Sequence, residues 1–155
     1  MGYTHYFELK ADLTDEVLRD VEKVIEKYPN LVLECDCDEP PLVSKELIRF
    51  NGRGEDGHET FLIKPHYHVF CKTNKKPYDL AVCEVLLILK HHYRDDFELS
   101  SDGFWVNKDK FEREILNGNW NTALDNVRNE FGYTFQLKGN IEESSGYTYY
   151  SFELF

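Results

Sequence analysis

At 155 residues the chain is long enough to bury a core in one domain without disulfides or metals as staples. Its hydrophobic share of 41% and aromatic share of 15% exclude a disordered chain, and no low-complexity stretch or Gly/Ser linker marks a second domain. A formal charge of −11 excludes general nucleic-acid binding, which needs an excess of phosphate-neutralising cations.

The first residues show no cationic region followed by an apolar run, and Tyr6 stands where myristoylation wants Ser or Thr. No apolar run approaches the ~18 residues needed to span a bilayer. The expectation is a cytoplasmic protein with no membrane partner. Cys35, Cys37, Cys71 and Cys83 are expected as reduced thiols.

Tyr3 to Lys10 alternates, with Tyr3, His5, Phe7 and Leu9 on one face, and predicts a half-buried strand. Thr14 can cap the following helix, whose stripe is Val17, Leu18, Val21, Val24 and Ile25. Leu31 to Cys35 reads as a second strand, and the acidic stretch from Asp36 to Pro41 as a loop. Leu47–Asn51, Glu59–Lys64 and His66–Lys72 are further strands, separated by the glycine-rich turn 52–57 and by Pro65, and suggest an antiparallel meander. Pro77 suits the first turn of the longest helix, which is apolar almost all round from Leu80 to Leu89. Phe97 to Ser100 is another strand. A short helix runs from Asn107 to Leu116, and a second carries Trp120, Ala123, Leu124, Val127 and Phe131 to a stop at Gly132. Tyr133–Leu137 and Tyr147–Leu154 close the chain as a hairpin. Runs of strands with few helices predict an α+β fold: a mostly antiparallel or mixed sheet against a central buried helix, with flanking helices.

The strongest local signal spans residues 72–79. A strand feeds a polar loop that enters the buried helix, and Lys72, Lys75 and Lys76 surround that entrance with Thr73 and Asn74. Unpaired N–H groups and the helix dipole favour a phosphate or carboxylate there. The plain alternative is a solvated turn in which Thr73 or Asn74 only caps the helix. Arg49 and Asn51 share one strand face and lead through the turn to His58, an arrangement able to grip a phosphate or read a base. A polar hairpin tip explains the same residues without a ligand.

Metal signatures fail. His66-x-His68 could place two imidazoles on one strand face, but Cys-x-x-Cys and His-Glu-x-x-His are absent, so neither metal nor cofactor is expected. His58-Glu59-Thr60 matches one half of the paired His-x-Thr motif of two-histidine phosphoesterases, and the second half is missing. His5, between Tyr3 and Phe7, reads as a core histidine unless its strand runs beside the 66–72 strand, where its imidazole would reach the basic loop.

The stretches Gly2–Tyr6, Ile48–Gly52, His58–Phe61, Phe70–Thr73, Lys76–Asp79 and Ser101–Gly103 resemble a group of small uncharacterised bacteriophage and prophage proteins. The likeness implies that the shared residues Arg49, Asn51, His58, Lys72, Thr73, Tyr78 and Asp79 belong to one pocket. By analogy with other small phage proteins, it also implies sequestration of a host defence signal. The expected ligand is anionic and nucleotide-like. Arg49, Lys72, Lys76 and Thr73 would meet phosphate, and His5, Asn51, His58 and Tyr78 the base or sugar, with Asp79 balancing the lysines. Two alternatives stand beside it: a metal-free phosphodiesterase using His58 and His5, and an acidic interaction protein with no small ligand. A homo-oligomer is left open.

Overall fold

The computed structural model describes residues 2–107, 116, 118–144 and 147–155. Alternation and capping set its first two elements. Strand β1 (Thr4–Leu9) turns His5, Phe7 and Leu9 inward and leaves Tyr6 exposed. Helix α1 (Asp15–Glu26) starts where the Thr14 hydroxyl accepts the Val17 N–H at 3.4 Å, with Asp15 and Glu16 against the positive end of the dipole. Its buried stripe of Val17, Leu18, Val21 and Val24 follows the expected spacing. Thr14→Ala is expected to cost about 0.5–1 kcal/mol, seen as a lower urea midpoint at unchanged m-value.

The meander forms only in part. Strand β4 (Ile48–Gly52) pairs antiparallel with β2 (Leu31–Val32), β3 (Leu42–Val43) and β5 (Phe61–Ile63). The next strand, β6 (His68–Lys72), leaves β5 and pairs antiparallel with β1, Thr4 opposite Lys72 and His5 opposite Cys71. The expected strand from His66 therefore starts two residues late. Pro65 has no N–H to offer a ladder, and His66 adopts a left-handed φ of 71° that turns the chain and sends its own N–H to Leu9 O. His66 then bonds Asp12, so His66 and His68 do not share a strand face.

Helix α2 (Asp79–Tyr93) is the central element: Ala81 to Leu89 are all buried, Glu84 among them. Glu84 is compensated by the Lys27 ammonium and the Tyr28 hydroxyl, which both bond its carboxylate. Strand β7 (Phe97–Ser101) pairs with the other edge of β1, His5 opposite Ser101, giving the order β6-β1-β7. A short strand β8 (Trp105–Asn107), absent from the sequence reading, joins β9 (Leu137–Ser144) and β10 (Tyr147–Leu154) in the order β8-β10-β9. The helix expected from Asn107 falls outside the described residues apart from its two ends, and Asn107 itself lies in β8.

Helix α3 (Trp120–Phe131) stops at Gly132, whose φ of 75° is the left-handed cap the sequence implies. Strand β9 begins at Leu137, later than expected, because Tyr133 is drawn away to stack on His91 at 3.6 Å and bond Asp20. Among the described residues every strand pair is antiparallel, and the fold is α+β as expected. Phe7, Phe50, Phe61, Phe97, Phe104 and Trp120 fill the space between sheets and α2. Among the described residues no helix is long and apolar enough to cross a membrane.

Candidate functional site

The β6-β1-β7 order brings three distant segments to one point. Flanked by β6 and β7, His5 is fully buried, and its imidazole meets Tyr3 and Trp120 edge-on, each at 5.2 Å and 88°. Nδ1 lies 2.7 Å from Ser101 Oγ and Nε2 lies 2.7 Å from Asp79 Oδ1. Ser101 Oγ also accepts from the Trp120 Nε1–H and the Gly103 N–H, each at 3.0 Å.

Asp79, the first residue of α2, takes further bonds from the Thr73 hydroxyl at 2.5 Å and the Asn119 amide at 2.9 Å. Burial pushes its carboxyl pKa up, but the bonds from His5, Thr73 and Asn119 outweigh that and hold it below the usual range. One turn along α2, Cys83 Sγ lies 3.7 Å from Asp79 Oδ2 and 3.9 Å from His5 Nε2. Burial, then the Asp79 charge, push its thiol well up. Asp79 therefore does not balance the lysines of the loop. It supplies the negative charge that the α2 dipole attracts, from inside the molecule.

Lys72 and Asn74, the chain neighbours of Thr73, line a shallow open hollow together with Gly2 and His58. Two hydrogen bonds tie its walls together: the Glu59 N–H donates to Lys72 O at 3.3 Å, and the Lys72 N–H donates to the Glu59 side-chain Oε1 at 2.7 Å. The Lys72 side chain crosses Gly2 so closely that a Cβ at position 2 would collide with it. Asn74 and Lys75 hold left-handed φ values of 53° and 57°, a strained pair for non-glycine residues. Lys75 places its ammonium 5.0 Å from the Tyr3 ring centre.

The other expected residues are placed elsewhere or used structurally. Arg49 is not among the residues lining the hollow: its guanidinium pairs with Glu34. Asn51 is buried and spends its whole amide on the turn, Nδ2 donating to His58 O and Thr60 Oγ1, Oδ1 accepting from Gly52 and His58 N–H. Tyr78 is buried, and its hydroxyl donates to Glu59 O at 2.5 Å. These residues shape the hollow without facing it. Lys76 is half-buried, with main-chain bonds to Thr73 and Asp79.

A separate cleft of about 490 Å³ is lined by Lys27, Tyr28, Leu31, Arg53, Pro77 and Tyr78 among others. Its cations are committed, Lys27 to Glu84 and Glu130, Arg53 to Asp38. Cys71 is a poor nucleophile candidate: burial pushes its thiol up to about 12, and its nearest hydroxyl partner is Tyr78 at 3.8 Å.

Sequence reasoning missed Cys83, Ser101, Asn119 and Trp120 as members of the buried group. One signal was available, since Asp79 and Cys83 stand four residues apart and face the same side of a helix. Ser101 and Trp120 gave none, because their approach to His5 depends on strand order. Comparison with protein-family models, with curated proteins and with solved structures finds no match, so the functional reading rests on the chemistry of this site.

Proposed function

We propose that the protein is of the small phage type and binds an anionic, nucleotide-like ligand in the hollow between the 57–60 turn and the 72–75 loop. The observation that carries this reading is the pairing of Lys72 and His58 on one open hollow, with no ion-pair partner for either among the described residues. Lys72 would meet a phosphate as a point charge, His58 and the Asn74 amide would complete it with directed bonds, and the Gly2 main chain allows close approach.

The overall charge sharpens the requirement. A chain at −11 repels anions at long range, so binding must come from bonds made within the ~8 Å screening length. The likeness of Gly2–Tyr6, His58–Phe61 and Phe70–Thr73 to small phage and prophage proteins supports the same surface, since Gly2, His58 and Lys72 fall within it. Sequestration of a host defence signal is the role this reading assigns.

The test is thermal denaturation with a panel of cyclic dinucleotides and ADP-ribose. A ligand at a hundred times its Kd is expected to stabilise the native state by about 2.7 kcal/mol. Lys72→Ala with His58→Ala should abolish that gain while leaving the unliganded melting temperature nearly unchanged. Ligand recovered intact after heating supports sequestration, and altered ligand supports phosphodiester cleavage. A double variant that still responds, or a panel with no responding member, overturns the proposal.

A further inference from the structure

Among residues that do not line the hollow stands a donor set with a different chemistry. We propose that His5, Asp79 and Cys83 form a binding site for a divalent zinc-type cation. One ligand atom from each, a ring nitrogen, a carboxylate oxygen and a thiol sulfur, lie within 4.8 Å of one another, and all three side chains are buried.

The spacing fits a tetrahedral ion. Zinc bonds of about 2.0–2.1 Å to N and O and about 2.3 Å to S place ligand atoms about 3.4–3.6 Å apart. Here the sulfur stands 3.9 Å from His5 Nε2 and 3.7 Å from Asp79 Oδ2, slightly wide, while His5 Nε2 lies 2.7 Å from the other carboxylate oxygen, Oδ1. Breaking the His5–Oδ1 hydrogen bond frees the carboxylate to present one oxygen to an ion held between the imidazole and the thiol. The charges also close: one carboxylate, one thiolate and a neutral imidazole sum to the −2 that cancels the ion, which a buried site requires. The Thr73 hydroxyl, already 2.5 Å from Asp79 Oδ1, or a water would take the fourth position.

Without the ion, Ser101 Oγ has both lone pairs engaged by Trp120 and Gly103 N–H groups, so its hydrogen goes to His5 Nδ1 and Nε2–H donates to Asp79. With the ion on Nε2, that imidazole proton transfers to Nδ1 and donates to Ser101 Oγ in place of one of those two N–H groups, while the Ser101 hydrogen turns to the Tyr3 hydroxyl within its reach. Ligating histidines are held by such an oxygen on the other nitrogen. Cys83 loses its proton to solvent, one per ion bound. Affinity should therefore rise about tenfold per pH unit while the free thiol remains protonated.

Cys35 and Cys37 are half-buried and could bind metal adventitiously, so the full chain is tested with both changed to Ser. Co2+ and Zn2+ are added to the chelator-stripped protein. The expected result is one ion per chain by elemental analysis, a Co2+–thiolate absorption band, and loss of that band in Cys83→Ser. Ser101→Ala, which leaves all three ligands in place, should weaken Zn2+ binding about 10–100-fold and serves if Cys83→Ser does not fold. Absence of a stoichiometric ion, a band that survives Cys83→Ser, or unchanged affinity in Ser101→Ala would each overturn the site and leave a hydrogen-bonded network.

Discussion

His5→Ala is expected to lower folding stability by about 3–5 kcal/mol when measured by urea denaturation in chelator. The imidazole is the partner that makes a buried Asp79 carboxylate tolerable, and its removal leaves that charge with Thr73, Asn119 and a weak thiol donor. It also opens a void between Tyr3 and Trp120 and frees the Ser101 hydroxyl from its partner. Ser101→Ala, which deletes one neutral hydroxyl and no charge, should cost less, about 1–3 kcal/mol.

The pH dependence carries a sign. Burial alone would raise the Asp79 pKa, yet the hydrogen bonds to it leave the folded value below the ordinary 3.8. A depressed folded pKa means that the unfolded chain binds more protons, so the contribution is present above pH 3.8 and lost as pH falls through the folded value. Without His5 the depression shrinks. The variant should therefore unfold in acid at a higher pH than the parent, beyond the shift that lower stability alone produces. Superimposable acid transitions after correction for stability would show that His5 does not hold the Asp79 charge.

Asn51→Ala is expected to cost about 2–4 kcal/mol and also to abolish the ligand response of the hollow. Four hydrogen bonds leave this one buried amide, and its truncation orphans main-chain groups of Gly52 and His58 at once. The turn that places His58 beside Lys72 then loses its anchor, although Asn51 never faces the ligand. Arg49→Ala supplies the contrast. Its half-exposed pair with Glu34 is worth under about 1 kcal/mol, and ligand-induced stabilisation should persist in the variant. An Asn51→Ala protein of parental stability, or an Arg49→Ala protein blind to ligand, would reverse the roles assigned here.

Much of the fold was legible in the residues. The Thr14 cap, the stripe of α1, the near-continuous apolar run of α2 and the glycine stop at position 132 are local signals, set within one or two turns of chain. The residues also suggested one surface for the polar tip bearing His58, for Arg49 and for Lys72 at the end of β6; His58 and Lys72 line one hollow, while Arg49 pairs with Glu34. Pairing was another matter. Whether β6 continued a meander or crossed to β1 depended on the Pro65–His66 break, which punctuates the chain without naming the next partner.

That crossing decided the chemistry. Local pattern alone determined which side chains turn inward, and it put His5 on an apolar face, where a histidine must find partners. Only the tertiary structure chose them, because β1 pairs with β6 on one side and β7 on the other, so Cys71 and Ser101 flank His5 while α2 brings Asp79 and Cys83 beneath it. Period and propensity act over a few residues, whereas these partners stand 66 to 96 positions away from His5, Cys71 nearest and Ser101 farthest. No short-range rule fixes what meets at that separation. Closing such loops requires the whole core to reward them, and it is the packed sheet and helix that set the site.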